Sequence, residues 1–277
     1  MIAVSGGEIY KRRRNMPKIR NNAKEVNTSV SVPVRRIAAT GEVTESEQII
    51  VRENVLEVSV NGLPAFRLTC TPDHLTELVF GRLCTEQIIR EAEDVAELFI
   101  CGEGNIAEVT LREEAAFQPH TGAEPTCCTG NRQYVETEGR GRYAVLPEVA
   151  PEAAEIFRLA EHFKNDGKLH RNTGGTHSCY IRLGDGKIEA FEDIGRHNAL
   201  DKAVGHMLLS GNTPADCMLF TTGRVAADMA EKAIAAGIPV LISKAVPTDE
   251  AVRLAEEYHL TLICRAWPDS FELYGRI

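Results

Sequence analysis

Four short segments of this chain combine glycine with side chains able to hold an anion or move a proton. They are Thr173-Gly174-Gly175-Thr176-His177, Glu192-Asp193-Ile194-Gly195-Arg196-His197-Asn198, Thr221-Thr222-Gly223-Arg224 and Ser243-Lys244-Ala245-Val246-Pro247-Thr248. The third and fourth each follow an apolar run and precede a helical pattern. Backbone N–H groups at such a helix start attract phosphate, and a cationic side chain beside them adds charge-assisted hydrogen bonds. Thr222, Gly223 and Arg224 therefore form one candidate anion loop, and Ser243 with Lys244 a second. Two such loops suggest a nucleotide-like ligand. The acids Glu192 and Asp193 have two readings: they cap a helix and pair with Arg196, or they orient Arg196 and His197 toward a ligand. His177 is either a base or a hydrogen-bonded histidine at a strand edge.

The adjacent pair Cys127-Cys128 offers different chemistry. Neighbouring Cα atoms lie ~3.8 Å apart, whereas disulfides usually need ~4.4–6.8 Å, so a stable bridge between them is disfavoured. Two adjacent ligands are also poor tetrahedral geometry, and no His or Cys follows at metal spacing, so no structural zinc is expected. Two readings are left: a thiol nucleophile, with Arg132, Arg140 and Arg142 downstream to favour the thiolate, or two unremarkable loop cysteines. The chain has eight cysteines and no CxxC pair, which excludes zinc ribbons and thioredoxin-type motifs. The other six read as core or strand filler.

Elements must position these groups. The chain has 277 residues, 43% apolar and 26% charged, a soluble globular composition. No apolar run approaches the ~18–20 residues that span a bilayer, and the start lacks the apolar stretch of a secretory signal, so neither membrane nor export is expected. The formal net charge is −9, with +5 over residues 1–30 and −14 over the rest. The acidic body argues against nucleic acid as a partner, and residues 1–30 read as a disordered basic tail.

Residues 31–112 read as a small α+β domain. Asn61-Gly62 between two apolar runs signals a hairpin, and Thr71-Pro72-Asp73 reads as the N-cap and first turn of a helix. Residues 113–150 contain repeated Gly and Pro with little periodicity and read as a long cysteine-bearing loop. From 151 to 277, apolar strands alternate with helical stripes, which predicts a three-layer α/β domain with ligands beyond the strands' carboxyl ends.

Together these residues resemble the formate dehydrogenase accessory sulfurtransferase (FdhD) family over roughly residues 31–275. The resemblance is carried by Glu192 to Lys202, Thr222-Gly223-Arg224, Thr173 to His177, Leu260-Thr261-Leu262 leading to Tyr274, and Asn61-Gly62 followed by Thr71-Pro72. It implies a cytoplasmic, homodimeric sulfur carrier. Such a protein takes persulfide sulfur from a cysteine desulfurase and passes it to the molybdenum cofactor, as bis-molybdopterin guanine dinucleotide, for formate dehydrogenase. It also implies a C-terminal domain of cytidine-deaminase-like fold and a cofactor contact over Arg265, Ala266, Trp267, Pro268, Asp269 and Ser270. The expected site thus comprises Cys128 and Cys127 for sulfur, and His177, Asp193, Arg196, His197, Thr222, Gly223, Arg224, Ser243, Lys244 and 265–270 for the cofactor. Two departures stand out. Cys127-Cys128-Thr129-Gly130 replaces the family's usual CxxC, and Cys264-Arg265 stands where the family usually has Gly-Phe. Two other readings are a non-catalytic cofactor chaperone and a nucleoside deaminase. The second lacks the H-x-E and P-C-x-x-C ligand motifs.

Overall fold

The computed structural model describes residues 16–113, 117–125, 132–137, 143–165 and 167–275. The first part of the chain holds strands β1 (Lys18–Asn21), β2 (Ser29–Ile37), β3 (Val43–Val51), β4 (Asn54–Val60) and β5 (Leu63–Cys70). Helix α1 (Leu75–Thr85) follows, then β6 (Val95–Ile100), β7 (Ile106–Leu111), β8 (Phe117–Pro125) and β9 (Arg132–Thr137). The second part begins with α2 (Ala153–Phe163), α3 (Lys168–Thr173), β10 (His177–Arg182), β11 (Ile188–Asp193) and α4 (Arg196–Ser210). It closes with β12 (Met218–Thr221), α5 (Ala227–Ala235), β13 (Val240–Ser243), α6 (Asp249–Tyr258), β14 (Thr261–Trp267) and β15 (Ser270–Tyr274).

The second part is the expected α/β unit. Its sheet runs β11-β10-β12-β13-β14-β15, with β12, β13 and β14 parallel and the flanking pairs antiparallel. Side chains alternate across a strand, and the two faces receive different cover. Cys179, Ile181, Leu219, Leu241 and Leu262 face the core that contains α4, α5 and α6. Tyr180, Phe220, Ile242 and Ile263 face the other way and pack on Ile156, Leu159 and Phe163 of α2. The apolar stripe of α2 and the alternation in the strands thus dictate three layers.

The first part forms a seven-stranded sheet, β1-β6-β7-β4-β5-β9-β8. Its inward residues, among them Leu56, Leu68, Leu98 and Val109, share one continuous core with α1, α4 and the α/β sheet. Helices α1 and α4 touch backbone to backbone. A Cβ at Gly81 would stand 1.7 Å from the Asp201 carbonyl oxygen, and one at Gly205 would stand 1.9 Å from that of Glu77. Buried ions cross the same junction: Lys232 Nζ lies 2.8 Å from Asp201 Oδ1, and Arg82 Nη1 lies 3.6 Å from Asp201 Oδ2.

The hairpin at Asn61-Gly62 forms as expected, with φ of 50° and 80°, the paired positive angles of a turn that matches strand twist. Four expectations change. Within the tail read as disordered, Lys18–Asn21 pairs in parallel with β6. The segment 113–150 contains the antiparallel pair β8–β9, in spite of Pro119 and Pro125. Residues 29–51, to which the sequence pattern assigns no particular element, form a two-stranded ribbon whose tip residue Ile37 is 71% exposed. Thr71 is not an N-cap: α1 starts at Leu75 behind His74, because the Thr71 hydroxyl is held by buried partners described below.

Candidate functional site

Register brings the predicted segments to one edge of the six-stranded sheet. Thr221 ends β12 beside Ser243, which ends β13. Strand β10 runs the opposite way, so His177 starts where those strands end, and it pairs with Asp193 at the end of β11. The parallel strand β14 brings Arg265 and Trp267 to the same edge. Carboxyl ends of parallel strands are where open α/β sheets bind ligands.

Hydrogen bonds fix the loops at this edge. Ser178 N–H donates to Thr222 Oγ1 at 3.0 Å, and Thr222 N–H donates to the Ser178 carbonyl at 3.0 Å. Gly223 N–H donates to Thr221 Oγ1 at 3.1 Å, while Ser243 Oγ donates to the Gly223 carbonyl at 2.7 Å and accepts from Ala245 N–H at 2.9 Å. Ser243 is fully buried, so it ties the two loops together and does not face a ligand. Arg224 is exposed beyond them.

Arg196 opens α4 and lies over the 222–224 loop. A Cβ at position 223 would meet Arg196 Cδ at 3.0 Å, so glycine leaves room for the arginine stem. Arg196 Nε is buried with no partner, as is Asp228 Oδ1. A buried unpaired guanidinium N–H is costly, and an anionic ligand at the edge would satisfy it. Lys244 sits on the other side. Its Nζ lies 5.6 Å from the centre of the Trp267 ring and donates to the Lys164 carbonyl at 3.1 Å. The expected stretch 265–270 is therefore partly assembled with the anion loops: Arg265 N–H donates to the Ala245 carbonyl, and Trp267 stands beside Lys244. Arg265, Trp267, Pro268, Asp269 and Ser270 are exposed, whereas Ala266 is buried in the core with α2.

The histidines divide. His197 is buried, and its Nε2 lies 2.6 Å from Asp228 Oδ2 in the first turn of α5. Burial pushes the Asp228 carboxyl up, but the His197 hydrogen bond and the charges of His197 and Arg196 outweigh it and hold the acid below its usual range. Sequence reasoning missed Asp228, and an acid in a helix first turn was its only signal. His177 is half-buried, and burial with the charges of Arg196, His170 and His197 holds it below the ordinary imidazole range. It is a neutral acceptor or donor at neutral pH.

Asp193 differs from its expected role. It is 0% exposed and bonded on both oxygens within the chain. Oδ1 accepts from Gly195 N–H at 3.0 Å and Asn198 Nδ2 at 2.9 Å. Oδ2 accepts from Thr71 N–H at 3.0 Å and Thr71 Oγ1 at 3.1 Å, and lies 2.8 Å from Lys202 Nζ. Direct cofactor contact is thus corrected to an internal role, because both carboxylate oxygens already bond within the chain. Glu192 likewise caps α3, accepting from the N–H groups of Leu169 and His170 at 2.8 Å.

Cys127 and Cys128, with Arg140 and Arg142, lie outside the described residues. Five of the other six cysteines are buried. Burial pushes the thiols of Cys70, Cys84 and Cys264 up to about 12 and that of Cys217 up to about 11, and raises Cys179 as well. They are inert fillers, as expected. Cys101 departs from that reading. It is half-exposed in the β6–β7 turn; burial raises its thiol slightly, but backbone N–H groups of residues 103–106 outweigh this and lower it.

The fold defines an α/β protein whose strand-end edge gathers Arg196, Arg224 and Lys244 around two hydrogen-bonded loops. The chain belongs to the FdhD/NarQ family, which it matches over residues 51–276. The sulfur carrier protein FdhD of Bacillus pumilus is 31% identical over 238 residues, 84% of this chain and 91% of that one. Its counterpart in Geobacillus kaustophilus is 32% identical over 238 residues, 84% of this chain and 90% of that one. The fold matches a crystal structure described as a formate dehydrogenase accessory protein of Desulfotalea psychrophila, with a TM-score of 0.74 at 23% identity, covering 90% of this chain and 98% of that one. Among the described residues, no helix is long and apolar enough to cross a membrane.

Proposed function

We propose that this chain carries sulfur from a cysteine desulfurase to the molybdenum cofactor of formate dehydrogenase, working in the cytoplasm as a homodimer. The observation that carries the reading is the basic strand-end edge, where a partnerless buried Arg196 Nε, Lys244 and exposed Arg224 surround two hydrogen-bonded loops. The sulfur chemistry is supported by relatives named as sulfur carrier proteins.

The Cys128 thiolate attacks the outer sulfur of the desulfurase persulfide. A new S–S bond forms at Cys128, the donor's S–S bond breaks, and the donor cysteine leaves as a thiolate that takes up a proton. Delivery breaks the new S–S bond and returns the Cys128 thiolate, while the outer sulfur bonds to the metal of the cargo, which gives up two electrons as the sulfur reaches the sulfide level. Cys127 is the adjacent reserve thiol. The cargo's guanine-nucleotide phosphates lie along Arg196, Thr222, Gly223, Arg224 and Lys244, and Trp267 offers a flat apolar surface beside them.

Strand order supports this arrangement. Strand β9 begins at Arg132 opposite Arg67 of β5, and β5 runs on from there to Cys70 and Thr71, which binds Asp193. Strand β9 therefore begins at the end of the seven-stranded sheet nearest Asp193.

Feeding sulfur-labelled cysteine, desulfurase, this chain and cofactor tests the reading. Label should appear first on the chain and then on the cofactor. Cofactor labelled equally well without the chain contradicts the carrier role, and a chain that binds cofactor yet never takes label leaves a chaperone.

A further inference from the structure

Asp193 stands between two parts of the molecule that the proposed function must bring together. One is the end of β5, next to the strand that follows the Cys127-Cys128 segment. The other is the first turn of α4, which carries Arg196 and His197. Asn198 makes the same bridge: its Nδ2 donates to the Thr69 carbonyl at 2.7 Å and to Asp193 Oδ1 at 2.9 Å. Lys202, one turn further along α4, closes the circuit from within. Its Nζ reaches Asp193 Oδ2 and Asp73 Oδ1 at 2.8 Å and Thr71 Oγ1 at 2.6 Å, and it is 0% exposed.

We infer that Asp193 is a positioning residue: it clamps the first turn of α4 to the end of β5 and so aims Arg196 at the anion loop. The geometry requires this division of labour. Gly195, the residue before the helix, has no side chain to cap it, and no capping side-chain bond forms there. The Asp193 carboxylate takes over that task by accepting the Gly195 N–H. The helix start is thereby fixed to the β-sheet of the first part and not to its own strand alone. A displaced first turn would lift Arg196 from Gly223, against which its stem now lies. The inference rests on the proposed function only in naming a nucleoside diphosphate as the ligand that Arg196 meets.

The test uses the full chain with GDP as the probe, in two variants. Asp193→Asn keeps the shape and removes the charge. Asn198→Ala cuts the same link without touching a charge, and stands in if the first variant fails to fold. Loss of a hydrogen bond to a charged group predicts an affinity for GDP weaker by about tenfold in each. Hydrogen exchange should quicken in the peptide covering 194–200 and stay unchanged in α2 and α6, whereas general destabilisation would quicken all three. Affinity within about twofold of the parent, with exchange at 194–200 unaltered, overturns the inference. If the parent chain does not bind GDP, the nucleotide reading falls and the exchange pattern alone decides the positioning role.

Discussion

At the residue scale, the strand-end edge divides its polar groups between those left at the surface and those bonded within the chain. Arg196, Arg224, Lys244 and His177 stand at the strand-end edge, while Asp193 and Ser243 are fully buried and bonded within the chain, and buried His197 pairs with the part-exposed Asp228. The sequence showed the residue types but not this division, because facing and holding residues alternate within one motif: Asp193, Arg196 and His197 are neighbours in the chain yet point to different surroundings. Asp228 was illegible because its partner lies 31 residues away. His177 gives the clearest pH prediction. Its folded value lies below the unfolded 6.5, so it contributes stability above that value, and this is lost as pH falls through 6.5 toward the folded value. A phosphate bound beside it favours the imidazolium. The NMR titration of His177 should therefore have a midpoint below 6.5 in the free chain, moving upward when GDP is added. An unmoved midpoint places the phosphates elsewhere.

At the element scale, periodicity foretold most of the second part, because strands buried on two faces and helices with one apolar stripe leave strong patterns. The α2 stripe and the hairpin at Asn61-Gly62 were read this way and formed. The ribbon β2–β3 and the pair β8–β9 escaped notice. The first has few buried positions to create alternation, and the second carries prolines that read as loop. The start of α1 was misplaced since Thr71, a good N-cap by type, is claimed by Asp193 and Lys202 through tertiary contact. The crossing of α1 and α4 was equally hidden: glycines in helices ordinarily read as weak points. Here Gly81 and Gly205 allow backbone contact. Gly205→Ala should destabilise the fold by about 1–3 kcal/mol or more, measured by urea unfolding, since its methyl would displace the Glu77 backbone. A variant as stable as the parent would mean that the helices separate freely.

At the scale of the whole molecule, the two parts read from sequence as separate domains share one core, and the buried ions Arg82, Asp201 and Lys232 join α1, α4 and α5. That continuity gives the carrier its logic. Strand β9, which follows residues 127–128 in the chain, belongs to the seven-stranded sheet, Arg196 and Arg224 stand at the strand-end edge of the six-stranded sheet, and the Asp193 junction fixes one sheet against the other. A hinge between the two parts would let the two sheets move against each other, whereas the shared core holds them together. The central claim is that a cysteine at 127–128 receives the sulfur. Peptide mass spectrometry after incubation with desulfurase and cysteine tests it directly, on the parent chain, on the Cys127→Ala and Cys128→Ala variants and on the variant carrying both. The account predicts an adduct of about 32 Da on the 127–128 peptide, kept in Cys127→Ala and lost in Cys128→Ala. An adduct that persists when both cysteines are replaced, or that maps to the half-exposed Cys101, would contradict it.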